Sequence, residues 1–299
     1  MTSLSGTDSS PTIASVSAGR KAKDRAAKVF VYAAFALAVI PLVSVLWTVV
    51  SNGAKRFDGV FLTHSMNGLA SKDAGGGAYH AIIGTLEQVG LTALISVPLG
   101  VLTAIYLVEY ARNGRLGRTI SFFVDVMTGI PSIVSGLFVL AFWLLALGMD
   151  FSGFAGALSL TILMLPTVVR ATEEMLKLVP GDLKEAAYAL GVPRWRTIMF
   201  VVLPTALPGI VSGVMLAVAR VMGETAPLLL TIFITKAINT DPFSGAQGSL
   251  PTFIWDQSTD PNANAVDRAW AGALVLIVLI MLLNLAARLV AWLRKPSSR

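Results

Sequence analysis

The chain has 299 residues, of which 55% are hydrophobic and only 13% charged, and its formal net charge is +6. Soluble domains carry about 25% charged residues, so this composition argues against a soluble enzyme and against a disordered chain, and it indicates a membrane protein. The sequence has no cysteine and only two histidines. This excludes disulfides and thiolate chemistry, and it argues against a histidine-based metal site or catalytic triad.

The N-terminal part combines a polar tail with the first apolar stretch. Residues 1–28 are rich in serine and threonine and end in a cluster of lysine and arginine, so we predict a disordered, basic, cytoplasmic tail. Residues 29–50 are apolar and long enough to span a bilayer, which takes about 20 residues. A cleaved signal peptide is the alternative, but its apolar part is only roughly 7–15 residues long. We therefore predict a transmembrane domain over residues 29–299.

Five further apolar segments follow, and their lengths suit membrane spans. They cover residues 81–108, 120–147, 153–169, 200–219 (with an apolar continuation at 226–234) and 269–293. We predict an all-α, polytopic membrane protein with six transmembrane helices. Because the connection at 148–152 is very short, the third and fourth spans are expected to form a helical hairpin.

The positions of the basic residues predict the orientation. With six spans, one side of the membrane receives 17 of the 23 lysines and arginines, including those near both termini and in the loops 109–119 and 170–199. The other side receives five, and Arg220 lies within or at the edge of a span. Since basic residues accumulate in cytoplasmic loops, we expect both termini in the cytoplasm.

The loop at 170–199 carries helix start and stop signals. Asp182 is predicted as an N-cap residue, with Glu185 three positions later as in a capping box. Gly191 suits the position just after a helix, and Pro193 prevents continuation. We predict a short, sharply bounded helix between two spans. From spacing alone, a docking surface and an ordinary interfacial connector remain equally open.

The same loop resembles the EAA loop of importer-type ABC permeases. The matching residues are Glu185, Ala186, Ala187 and Gly191, followed by a hydrophobic residue and a proline at 203–204. The resemblance implies a type I ABC importer permease-like fold in which these four residues form a cytoplasmic coupling helix that docks on an ATPase. The chain lacks a Gly-x-x-x-x-Gly-Lys-Ser/Thr motif. A separate ATPase subunit is therefore expected to use ATP and Mg²⁺, with no cofactor and no enzymatic activity in this chain.

Three further segments resemble the phosphate (Pst) branch of these permeases, nearest to its PstA-type subunits. Residues 130–137 match a Pro-Ser-Ile-Val-x-Gly-Leu stretch, residues 170–180 an Arg-x-Thr-Glu-Glu-x-Leu-x-x-Val-Pro segment, and residues 220–229 an Arg-x-x-Gly-Glu-Thr block. The match covers about residues 80–290. It implies a partner permease of the PstC type, a PstB-like ATPase dimer, an extracytoplasmic PstS-like phosphate-binding protein, surrounding lipid, and no nucleic acid.

A few ionisable residues within or beside the spans are candidates for the substrate pathway. Arg220 and Glu224 are four residues apart, so on one helix they would share a face and could pair. We expect this pair and Asp125 to line an anion path, although a structural ion pair and a helix-packing role fit as well. Arg170 with Glu173 is predicted to be a gate or loop anchor, and a plain solvated charge cluster is the alternative.

Two other classes of transport protein compete with this interpretation. One is a permease for a different oxyanion, since one arginine and one glutamate do not select among oxyanions. The other is a secondary transporter or channel that works alone, for which inverted repeats would be evidence. We find no such repeat in the sequence.

Overall fold

The fold is all-α within residues 18–111 and 114–293, which are the residues that the structure, a computed structural model, describes. In chain order the helices are α1 (Ala18–Gly53), α2 (Gly59–Thr63), α3 (Tyr79–Ile105), α4 (Arg115–Thr128), α5 (Ser132–Val139), α6 (Gly153–Lys177), α7 (Gly181–Ala189), α8 (Arg194–Thr197), α9 (Leu203–Met222), α10 (Ala226–Thr231), α11 (Leu250–Thr259) and α12 (Ala263–Leu293). The predicted fold class is confirmed.

Five helical segments in this part of the chain are long and apolar enough to cross a membrane. They are formed by α1, α3, α6, α8 with α9, and α12. The sixth predicted span, residues 120–147, corresponds to a pair of helices, α4 and α5, that bend by 106° at their junction, and counting this bent pair as one span gives six. Pro131 explains the bend, because proline lacks a backbone N–H and disfavours the helical conformation of the residue before it.

The helix α1 extends further towards the N-terminus than predicted. It begins at Ala18, so the basic stretch before the first span is helical and not part of a disordered tail. Alanine, lysine and arginine favour helix, and Lys28 pairs with Asp24 at 2.8 Å one turn away. Residues 1–17 of the predicted 1–28 tail lie outside the described residues. Apolar side chains of α1 such as Phe35 and Trp47 are exposed, as membrane-facing side chains are.

The largest apolar core joins α3, α6, α9, α10 and α12. It includes Leu160 and Met164 of α6, Val89 of α3 and Val221 of α9. A second cluster joins α3, α4, α6 and α9 near the ends that flank α7. In lipid such contacts act through close packing, because lipid tails are as apolar as the side chains themselves.

Several helices widen into π-helical turns. The end of α3 continues as Tyr106–Tyr110, the end of α5 as Leu140–Ala146, and α8 joins α9 through Ile198–Val202. Such wide turns frequently lie at functional sites. Two of the three flank the predicted coupling segment, which they therefore help to position.

Candidate coupling segment and ionisable groups

The helix α7 lies in the loop where the sequence predicts a coupling helix. Of the motif residues, Glu185 and Ala186 are exposed, whereas Ala187 is 8% exposed and packs within the chain. The exposed surface of the helix thus carries an acidic and a small residue, and the buried Ala187 packs against the rest of the chain.

The C-terminal end of α7 confirms the predicted stop at Gly191. This glycine has a φ of +75°, a left-handed conformation that other residues rarely adopt. Its N–H donates to the Tyr188 carbonyl at 2.9 Å, and the Val192 N–H donates to the Ala187 carbonyl at 3.1 Å. These two bonds form a Schellman motif, so the helix ends sharply and turns towards α8.

The predicted capping box at the other end of α7 is wrong. The helix begins at Gly181 with Pro180 in the N-cap position, and no side chain caps it. Asp182 already lies in the first helical turn, where its backbone has helical angles and its side chain does not act as the cap. Its negative charge still suits the positive end of the helix dipole.

One ion pair joins α7 to a distant helix. The Lys184 ammonium donates to the Glu109 carboxylate at 2.6 Å, and the two side chains are 22% and 5% exposed. Glu109 belongs to the π-helical turn that ends α3. Next to it, the guanidinium of Arg194 lies 4.9 Å from the centre of the Tyr110 ring. Both α7 and α8 therefore contact the same turn.

Arg170 ties α4 to α6. Its guanidinium forms ion pairs with Asp125 and, at 2.5 Å, with Glu173, and donates to the Ser121 carbonyl and hydroxyl at 3.1 and 2.9 Å. Lys177 completes the cluster with a 2.7 Å contact to Glu173. The structure thus brings Asp125 together with the predicted anchor residues and not with Arg220 or Glu224.

Arg220 and Glu224 are not paired. The helix α9 ends at Met222, and the two residues form no ion pair anywhere in the described part of the chain. Glycine at 223 weakens the helix, and Pro227 has no N–H to donate to the carbonyl of that glycine. The expectation of a shared helical face is therefore wrong. Arg220 is exposed and Glu224 partly exposed at a break between α9 and α10.

The sequence does not predict a buried hydrogen-bond network formed by the side-chain amides of Gln88 and Gln247. The Gln88 amide donates to Gln247 at 2.9 Å, and the Gln247 amide donates to Glu87 at 2.5 Å and to the Asn239 carbonyl at 3.2 Å. Both glutamines are almost fully buried. Local sequence patterns do not predict contacts between residues as far apart as Gln88 and Gln247. These residues meet because the loop before α11 folds against α3.

Arg268 of α12 is a second buried group without a sequence signal. It is fully buried, and its guanidinium donates to Gln257 at 2.8 Å and to the carbonyls of Ser71 and Asp73 at 2.7 Å each. It holds the segment between α2 and α3 in place. Nearby, hydrogen bonds from the Ser71 hydroxyl and from Asn262 keep the pKa of Asp260 below its usual value.

In residues 18–111 and 114–293, no group of three His, Cys, Asp or Glu side chains is placed to hold a metal ion.

Comparison with known families gives one family match. The model of the family described as "Binding-protein-dependent transport system inner membrane component" matches residues 96–294, which is about two thirds of the chain. The match includes α7, Glu109, Arg170, Arg220 and Arg268, and it leaves out Glu87, Gln88 and the segment that Arg268 contacts between α2 and α3.

Curated relatives are similar over almost the whole chain. One is the phosphate transport system permease protein PstA 1 of Mycobacterium tuberculosis (strain H37Rv), 49% identical over 91% of this chain and 88% of that protein. Another is the phosphate transport system permease protein PstA of Yersinia pestis, 39% identical over 91% of each chain.

Solved structures with the same fold are ABC transporters. A bacterial alginate ABC transporter in complex with an alginate-bound periplasmic protein matches with a TM-score of 0.63 at 18% identity, over 89% of this chain and 94% of that one. The MetNI methionine ABC transporter in an inward-facing conformation matches with a TM-score of 0.58 at 24% identity, over 73% and 94%. These two likenesses concern the fold.

Proposed function

Because this chain belongs to the family of binding-protein-dependent transport system inner membrane components, we propose that it is a permease subunit of an ATP-driven phosphate importer, of the PstA type. We propose phosphate as the substrate because the chain is similar to PstA permeases, which are 39–49% identical to it over nine tenths of its length. The segments at 130–137, 170–180 and 220–229, which resemble the phosphate branch, agree with this proposal.

We propose that α7 is the docking element for a separate ATPase dimer that binds ATP and Mg²⁺. The exposed Glu185 and Ala186, and the sharp turn at Gly191, support this role. The chain then transmits conformational change and performs no chemistry of its own. Its other proposed partners are a second, PstC-like permease, a phosphate-binding protein on the far side of the membrane, and lipid.

We propose that both termini lie in the cytoplasm, on the side of α7. The support is the distribution of basic residues, 17 on this side against five on the other. Docking of a cytoplasmic ATPase on α7 requires the same orientation, since ATP is cytoplasmic.

We propose that Arg220 borders the anion path. It is exposed at a helix break, where the missing pairing with Glu224 leaves its guanidinium free to meet a phosphate oxygen. Arginine keeps its charge and offers a planar set of donors suited to phosphate. Irregular backbone at membrane depth is tolerated where it is buried in protein or lines a water-filled cavity, and we propose that the break at Gly223 lines such a cavity. Asp125, by contrast, is engaged by Arg170, which favours a helix-packing role over the pathway.

The test is uptake of radiolabelled phosphate by cells that lack this chain and by the same cells carrying it. We expect uptake to return with the chain, and excess sulfate or molybdate to leave it unchanged. Restoration of sulfate uptake instead would support the alternative, a permease for another oxyanion. Uptake that persists without an ATPase subunit would support a transporter that works alone.

A further inference from the structure

Besides the packing of Ala187, the coupling helix α7 has three connections to the membrane region within the described residues. Two are covalent, since its chain leads back to α6 and forward to α8 and α9. The third is the ion pair between Lys184 and Glu109, whose positions in the sequence are 75 residues apart. It reaches α3, a helix that is not a chain neighbour of α7.

This ion pair differs from an ordinary surface pair. The side chains of Lys28 and Asp24 on α1 also form a close pair, at 2.8 Å, but they are 66% and 61% exposed. The Glu109 side chain is only 5% exposed. A carboxylate buried to this degree depends on its partner, because an unpaired buried charge is strongly unfavourable. Lys184 and Glu109 are therefore expected to move together.

A second contact acts at the same place. Arg194, the first residue of α8, lies over the ring of Tyr110, which follows Glu109 in the chain. Because one contact precedes and the other follows the turn at Gly191, the whole segment from α7 to α8 is fixed to the π-helical turn Tyr106–Tyr110.

The helix that carries this turn extends deep into the membrane region. With its π-helical turn, α3 has 32 residues, or about 48 Å of helix. Ala104 packs against α6 and α9 residues in one apolar cluster, and Gln88 further along holds Gln247. A displacement of α7 that is passed to Glu109 would thus act on a helix that extends to the opposite end of the membrane region.

We infer that the Lys184–Glu109 ion pair is the positioning contact through which α7 moves α3, so that ATP hydrolysis and phosphate transport are coupled through it. This inference rests on the proposed function, in which an ATPase docks on α7. It assigns to Lys184 and Glu109 a role in transmission, separate from the docking role of Glu185.

The experiment uses the complete transporter in proteoliposomes and measures phosphate transported per ATP hydrolysed. The double variant Glu109→Gln/Lys184→Met removes the pair without leaving a buried charge. The exchanged variant Glu109→Lys/Lys184→Glu restores a pair of opposite sign. The exposed pair on α1 supplies the matched control, Asp24→Asn/Lys28→Met.

We expect the neutral double variant to retain bound ATPase and ATP hydrolysis but to transport about tenfold less phosphate per ATP, as for loss of a contact between charged groups. The exchanged variant should recover most of this ratio, and the α1 control should keep all of it. An unchanged ratio in the neutral variant, failure of the exchanged variant to recover, or loss of bound ATPase would each overturn the inference. Failure of the unmodified complex to transport phosphate would instead refute the proposed function.

Discussion

Gln88 on α3 donates a hydrogen bond of 2.9 Å to Gln247, a residue 159 positions later in the sequence. Gln247 in turn donates to Glu87 at 2.5 Å, and both glutamines are at most 1% exposed. Gln247 therefore helps to hold the loop between α10 and α11 against α3. The position of this loop depends on the space that surrounds Gln247.

Substitution of Gly153 by alanine should disturb this network. A Cβ atom at position 153 would lie 1.9 Å from the Gln247 amide oxygen, so the amide must move and lose its hydrogen bonds. Loss of buried hydrogen bonds costs about 1–3 kcal/mol. We expect a lower unfolding temperature for the purified complex with Gly153→Ala, measured by thermal denaturation in detergent.

The matched control for this substitution is Gly90→Ala. A Cβ at position 90 meets nothing within 4 Å, and alanine favours helix over glycine. The control should unfold at or above the temperature of the unmodified complex. Equal unfolding temperatures for the two variants would contradict the role of Gln247.

Substitution of Arg170 by glutamine should loosen α4 from α6. The variant loses both ion pairs and the contacts to Ser121, at a cost of roughly 1–2 kcal/mol for this partly exposed cluster. Lysine keeps the charge but lacks the planar set of donors. The stability of Arg170→Lys should therefore lie between that of the unmodified protein and that of Arg170→Gln. Thermal unfolding and phosphate uptake of both variants provide the measurement.

The control for the Arg170 variants is Arg118→Gln, which removes an exposed arginine of α4. Arg118→Gln should leave the unfolding temperature unchanged. If Arg170→Gln unfolds like this control, then the cluster is a plain set of solvated charges and not an anchor.

Reversal of charge at Glu185 should abolish binding of the ATPase. The side chain is exposed on α7, so Glu185→Lys places a repulsive charge in the proposed docking surface without altering the chain's own packing. Co-purification of the ATPase with the tagged chain measures the effect. Glu174→Lys, the same change at an exposed residue of α6, is the control and should keep the ATPase bound. Retention by both variants would exclude α7 as the docking site.

Substitution of Arg220 by glutamine should reduce phosphate transport without affecting assembly. The residue has no ion-pair partner within residues 18–111 and 114–293, so its loss leaves no buried group unpaired. Loss of a charged hydrogen bond to the anion corresponds to about 10- to 100-fold slower uptake. Arg118→Gln again serves as the control. Normal uptake by Arg220→Gln would remove Arg220 from the pathway.

Hydropathy and local signals predict much of this fold, because they depend on neighbouring residues. The apolar runs correspond to the long helices, and Gly191 ends α7 as its position indicates. The predictions are wrong where they apply the residue spacing of a regular helix to a segment in which the helix is interrupted. The four-residue spacing of Arg220 and Glu224 implies a shared face only if the helix continues through position 223, and it does not.

Contacts between distant segments are the part that the sequence does not predict. Lys184 and Glu109 look like ordinary charged residues near membrane ends, and Gln88 and Gln247 like isolated polar residues in apolar surroundings. Their pairing depends on how α3 packs beside α6 and on where the loops return. Asp125 shows the same limit, since its partner Arg170 lies 45 residues away on another helix.

The most direct test of the central proposal is phosphate accumulation in proteoliposomes that contain this chain with its partner permease, ATPase and binding protein. We predict accumulation of labelled phosphate that requires ATP, the binding protein and this chain together, and that Glu185→Lys abolishes. Accumulation that an ion gradient drives without ATP, or that proceeds equally when this chain is omitted, would contradict the account.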